Sequence, residues 1–76
     1  MKVYYGTFPK HSLRAGMIQP ILAKDAGEAS ELMKEYHGPH YNVILPQEQY
    51  EIQKEQRFAN HEQYVIIMSA KAEVPL

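Results

Sequence analysis

The sequence contains no cysteine. That excludes disulfides, thiolate metal sites and a cysteine nucleophile, and it suits a reducing cytosol. No apolar run approaches the roughly 20 residues needed to cross a bilayer, and no charged segment followed by an apolar one opens the chain. The expectation is a soluble intracellular protein with no membrane partner. No Gly-rich phosphate fingerprint is present either, since Gly6 and Gly16 only flank a loop. No repeat, linker or low-complexity segment divides the chain, and no catalytic motif appears in it. Acidic residues are also missing from the beginning: Lys2, Lys10, Arg14 and Lys24 all precede Asp25, the first carboxylate, although the net charge is only −1. Charge asymmetry of this kind marks a candidate anion-binding surface, or basic strands lying beside an acidic helix that neutralises them.

With 76 residues, the chain forms one domain, residues 1–76, and a domain of this size buries only about 60% of the surface its unfolded form exposes. Without disulfides or a metal motif, burial of a sheet face in a homodimer is the expected remedy.

The segment from Asp25 to Pro39 carries the clearest local instructions. Asp25 is a good N-cap, and Glu28 stands three places later as the second half of a capping box. Ala29, Leu32, Met33 and Tyr36 recur at helical spacing and form one apolar stripe, with Ser30, Glu31, Lys34 and Glu35 on the other face. Gly38 and Pro39 stop the helix. Leu32 and Met33 are expected under a sheet.

Around this helix the chain reads as strands. Lys2 to Phe8 is strand one, where Gly6 suggests a bulge or a close approach by another backbone or a ligand. Pro9 to Gly16 is a loop. Met17 to Ala23 is strand two, placed at an edge or bulged because Pro20 lacks the amide of a central strand. Tyr41 to Leu45 is strand three, joined to strand two by a right-handed crossover if the two are parallel. Gln47 to Asn60 favours helix by composition but has few apolar residues, so a short helix or a mobile excursion is expected. Gln63 to Ala70 alternates Tyr64, Ile66 and Met68 with Val65 and Ile67; apolar on both faces, it reads as a central strand four or one with a covered second face. The fold class is therefore α+β, in the order β-β-α-β-(α)-β. A mainly antiparallel four-stranded sheet carries one main amphipathic helix.

Three constellations could carry chemistry. His37 and His40 are three apart and His61 could join them as metal ligands, but Gly38 and Pro39 break the geometry, and His37 has the simpler role of a cationic ring at the helix C-terminus. Neither a metal nor a cofactor is expected. Ser12 beside His11 is adjacency without a visible base or orienting carboxylate, and a domain this small has little room for a catalytic pocket, so the chain is not expected to be an enzyme. Tyr4, Tyr5, Tyr36, Tyr41, Tyr50 and Tyr64 could stack on bases, but aromatic sheet residues at the core or at a protein interface are the commoner outcome.

The loop is the preferred binding site. Arg14 can grip a phosphate or carboxylate bidentately, Lys10 adds a point charge, and His11 and Ser12 supply neutral donors, with Gly6 and Thr7 leading into the loop. The competing reading has the helix carboxylates folding back over it.

Tyr4-Tyr5-Gly6-Thr7-Phe8, His11-Ser12-Leu13-Arg14, the Ala23 to Ala29 lead into the helix and its end at Tyr36-His37-Gly38 resemble a group of small proteins encoded by phages and prophages of Gram-positive bacteria. The resemblance covers roughly residues 1 to 45 and brings no assigned activity. A phage origin implies a non-enzymatic anti-defence protein in the cytoplasm of the host bacterial cell. It would inhibit a host immune effector such as a CRISPR-type nuclease, or act as a sponge for a nucleotide immune signal, or be a small accessory protein contacting nucleic acid. The host defence protein or the nucleotide signal is the expected partner. An inhibitor mimicking nucleic acid would use Glu28, Glu31, Glu35, Glu48, Glu51 and Glu55; a nucleotide binder would use Lys10, His11 and Arg14.

Overall fold

The computed structural model describes residues 1–69. In chain order these form β1 (Lys2–Gly6), β2 (Met17–Ala23), α1 (Ala26–His37), β3 (Ile44–Pro46), α2 (Gln47–Arg57), β4 (Glu62–Gln63) and β5 (Met68–Ser69). The α+β class holds, but the sheet is five-stranded and mixed. β1 is antiparallel to both β2 and β3, whereas β4 and β5 pair in parallel with β2. Being antiparallel to the same strand, β2 and β3 run parallel to each other, so α1 carries the chain across β1. No helix among the described residues is long and apolar enough to cross a membrane.

The helix from the Asp25 cap forms as its signals direct. Asp25 Oδ1 accepts from the Glu28 N–H at 2.8 Å, and Glu28 Oε1 accepts from the Lys24 N–H at 2.9 Å, one residue ahead of the usual reciprocal partner. Gly38, at φ +83°, ends the helix in the left-handed region where a side chain would be strained. Ala29, Leu32 and Met33 are buried against Tyr4, Ile21, Ala23 and Met68, while Tyr36, the last residue of the expected stripe, lies on the exposed side.

Tyr4 faces this core, so its neighbour Tyr5 points to the opposite face, where its ring stacks on Tyr50 of α2 at 4.1 Å. The two helices therefore lie on opposite sides of the sheet. Of the uncertain segment 47–60, residues 47–57 thus form a real second helix. It is held by Tyr50, the one buried residue of α2, which also stacks on Phe58. Burial and the nearby Tyr50 and Glu51 raise the pKa of the Tyr5 hydroxyl, in that order of weight, so this ring stays neutral at physiological pH.

Several strand expectations need correction, and strand one stops at Gly6 instead of Phe8. Strand three begins only at Ile44: Asn42 and Val43 instead bond to Thr7, whose backbone N–H and Oγ1 both donate to the Val43 carbonyl, at 2.9 Å each. Strand four breaks in two, and Val65, Ile66 and Ile67 between its halves are exposed. Its last residue, Ala70, lies outside the described residues.

Pro20 supplies the physical reason for the break. The carbonyls of Gly16 and Ile18 accept from Glu62 and Tyr64. By alternation the amide position of residue 20 faces the same neighbour, and proline has no N–H to offer there. Opposite that gap the partner leaves the sheet, and the Gln19 amide fills in, Nε2 donating to the carbonyls of Pro20 (2.9 Å) and Ile66 (2.8 Å). β2 is thus a central strand rather than the edge strand Pro20 suggested, and the bulge falls on its neighbour.

Candidate functional site

One end of the sheet gathers the residues with chemical potential. The Pro9 to Gly16 loop is built from successive turns: the Ser12, Ala15 and Met17 N–H groups donate to the carbonyls of Pro9, Ser12 and Arg14, each at 3.0 Å. Ser12 Oγ accepts from the Arg14 N–H at 3.0 Å, fixing the backbone from which the guanidinium projects. Among the described residues that hydroxyl makes no bond to His11, and its O–H proton stays available to a ligand. A cleft of about 320 Å³ opens here, lined by Pro9, His11, Ser12 and Arg14 from the loop and by His37 and His40 from the end of α1 and beyond.

The structure thus brings together three of the six expected site residues, His11, Ser12 and Arg14. Lys10 is exposed and does not line the cleft. Gly6 and Thr7 do scaffold work. A Cβ on Gly6 would stand 2.6 Å from both Sδ and Cε of Met33, so the close approach anticipated there is that of a helix side chain. Thr7 is buried in its clamp on Val43, its Oγ1 also accepting from the Val43 N–H. Among the described residues no carboxylate forms an ion pair with Lys10, His11 or Arg14, so the helix does not fold its acids over the loop.

His37 is the participant that sequence reasoning assigned elsewhere. Its ring stands edge-on to Phe8 at 5.1 Å and tilted against Tyr64 at 5.4 Å. Nε2 lies 2.9 Å from Gln19 Oε1. Both Gln19 Nε2 protons are spent on carbonyls, so Oε1 accepts and His37 Nε2 carries the proton. Nδ1 is left as a buried acceptor with no partner among the described residues. Burial first, and the Arg14 charge second, lower the His37 pKa from its ordinary 6.5. The ring is accordingly neutral at physiological pH, and not the cation expected at the helix C-terminus. Of the other members of the metal reading, His40 shares the cleft with His37 but His61 does not. His61 lies against Phe58 beside α2, and no group of three or more His, Cys, Asp or Glu among the described residues is placed to hold a metal ion.

A lowered histidine pKa has a definite sign in stability. Between the folded pKa and 6.5 the unfolded chain binds more protons than the folded one, so stability rises with pH through that window and falls as the pH drops below 6.5. Urea unfolding from pH 5 to pH 8 should show this slope, and the slope should shrink in His37→Gln. An equal slope in the variant would assign the effect to other groups.

Comparison with protein-family models, with curated proteins and with solved structures finds no match to this chain.

Proposed function

We propose that this chain is a non-enzymatic binding protein that captures an anionic ligand in the Arg14 cleft. On this reading it acts in the cytoplasm of a phage-infected bacterium by sequestering a nucleotide signal of host defence. The observation that carries the proposal is the cleft itself, where Arg14, His11, Ser12 and His40 converge and, among the described residues, no carboxylate pairs with the guanidinium. A guanidinium offers two parallel donors to a phosphate, and the ring nitrogens of the histidines add further ones. The C-terminal end of α1 opposes an anion, but a helix end carries only about half a charge against the full charge of Arg14. The turns of the loop fix the backbone from which His11, Ser12 and Arg14 project, so that part of the site needs no ordering when the ligand arrives.

Calorimetric titration with inorganic phosphate at low ionic strength tests the proposal. Arg14→Ala should weaken binding about 10- to 150-fold, the range for a lost charge-assisted contact. Its folding stability should stay within about 1 kcal/mol of the parent, as for most surface changes. Lys10→Ala should matter far less. Phosphate binding that is absent, or equal in Arg14→Ala, would remove the cleft from consideration.

A second reading, inhibition of a host immune effector by direct contact, draws on a different surface. The carboxylates of α1 and α2 sit on opposite sides of the sheet, which is unlike the continuous anionic strip of a nucleic-acid mimic. Val65, Ile66 and Ile67, however, are 97%, 75% and 57% exposed in succession. Adjacent exposed apolar residues of this kind mark protein contacts, and the same run would serve self-association into a homodimer. Light scattering at low micromolar concentration should show a dimer that Ile67→Glu dissociates. A stable monomer in the parent chain would rule out the dimer and leave the run to a foreign protein.

A further inference from the structure

A second cavity of about 410 Å³ is walled by Gln19, His37, Tyr64, Val65, Ile66 and Met68 among others. Its lining is almost wholly apolar, and it shares His37 with the cleft. We infer that the two cavities are halves of one site that meets at the His37 ring, and that its ligand is a planar aromatic ring bearing an anionic group, the chemistry of a nucleotide. The inference rests on the anion-binding reading of the cleft and adds the ring subsite.

Three observations support it. The first is the character of the walls. Tyr64 and His37 present aromatic surface, Ile66 and Met68 add aliphatic surface, and the charge complement for the anionic end stands across His37 at Arg14. Each cavity is near the lower end of the roughly 300–1,000 Å³ typical of small-molecule sites, so one suits a ring and the other a compact anion.

The second is the state of the polar atoms at the ring end. Gln19 Nε2 is committed to the Pro20 and Ile66 carbonyls, and its Oε1 to His37 Nε2. Gln19 Nε2 therefore has no proton left for a ring edge. Stacking and shape, which tolerate different bases, are the main recognition these walls offer, beside the acceptor His37 Nδ1. The third is rigidity. The Gln19–Ile66 bond pins the 64–67 segment in place, although it is outside the strands, so the apolar wall is held by a specific contact.

The test measures dissociation constants of the full chain for inorganic phosphate, adenosine and adenosine 5′-monophosphate. Adenosine monophosphate should bind roughly 5- to 150-fold more tightly than phosphate, the range for stacking one base. Adenosine alone should bind more weakly than the monophosphate. Tyr64→Leu should remove most of that advantage, whereas Arg14→Ala should weaken both anions. Cytidine monophosphate should bind within a few-fold of the adenosine compound.

If the monophosphate binds no better than phosphate, the ring subsite is wrong and the anion cleft stands. If neither anion binds, the cleft reading fails and the ring subsite fails with it. The comparison within the unmodified chain decides the matter even where Tyr64→Leu alters folding, which circular dichroism of the variant would reveal.

Discussion

Met33→Ala is expected to cost about 2–5 kcal/mol, the range for truncating a buried methionine. The total stability of a 76-residue domain is roughly 4–11 kcal/mol. A fall in melting temperature on the order of 10–30 °C should follow. Met33 is fully buried at the centre of the α1 core, and its Sδ and Cε occupy the space a side chain on Gly6 would need. Gly6→Ala alone should therefore cost about 1–3 kcal/mol by overpacking. Combined with Met33→Ala, the added methyl would enter the cavity the first substitution leaves. The double variant should be more stable than the sum of the single effects by a margin above about 0.5 kcal/mol. Strict additivity would show that Met33 does not set the distance between α1 and β1.

Gln19→Leu is the second large effect, expected at about 2–5 kcal/mol. Gln19 is 3% exposed. Its amide serves the carbonyls of Pro20 and Ile66 and the N–H of His37 at once. Leucine fills similar space and leaves these groups without partners, at about 1–3 kcal/mol for each that stays buried. The damage should begin locally. Hydrogen exchange at the Tyr64 amide, bonded to the Ile18 carbonyl, should accelerate before the rest of the sheet loosens. Uniform loss of protection across the domain would mean that Gln19 supports the fold generally and does not specifically pin residues 64–67.

The parts of the fold legible in the sequence are those whose instructions are local. Asp25, Glu28 and Gly38 define α1 within a few residues of where each acts, and the apolar spacing names Leu32 and Met33 as its buried face. The 63–70 segment was misread because its alternation is genuine but its partner is defective. A proline more than 40 residues away removes the donor that would have kept Val65 to Ile67 in the ladder, and no pattern inside the segment records that. Pro20 itself was legible as an interruption; which strand would yield to it depended on the pairing order of the sheet.

The candidate site divides in the same way. His11, Ser12 and Arg14 stand out as a basic loop with no acid nearby in sequence. Gly6 suggests a bulge or the approach of a backbone or a ligand, but what stands against it is the Met33 side chain. His37 carries two local signals, a helix C-terminus and a histidine three places on, and both point away from its role. Its place between the cleft and the apolar cavity arises only when Phe8, Gln19 and Tyr64, from three separate segments, close around it.

Titration of the His37 imidazole, followed by NMR with and without saturating phosphate, tests most directly whether Arg14 and His37 share an anion site. Without ligand the midpoint should lie below 6.5, because burial and Arg14 both disfavour the imidazolium. Bound phosphate offsets the Arg14 charge and should raise the midpoint. In Arg14→Ala the same phosphate concentration should leave it unmoved. A midpoint at or above 6.5 in the free protein, or one that does not change when phosphate saturates the parent chain, would contradict the account.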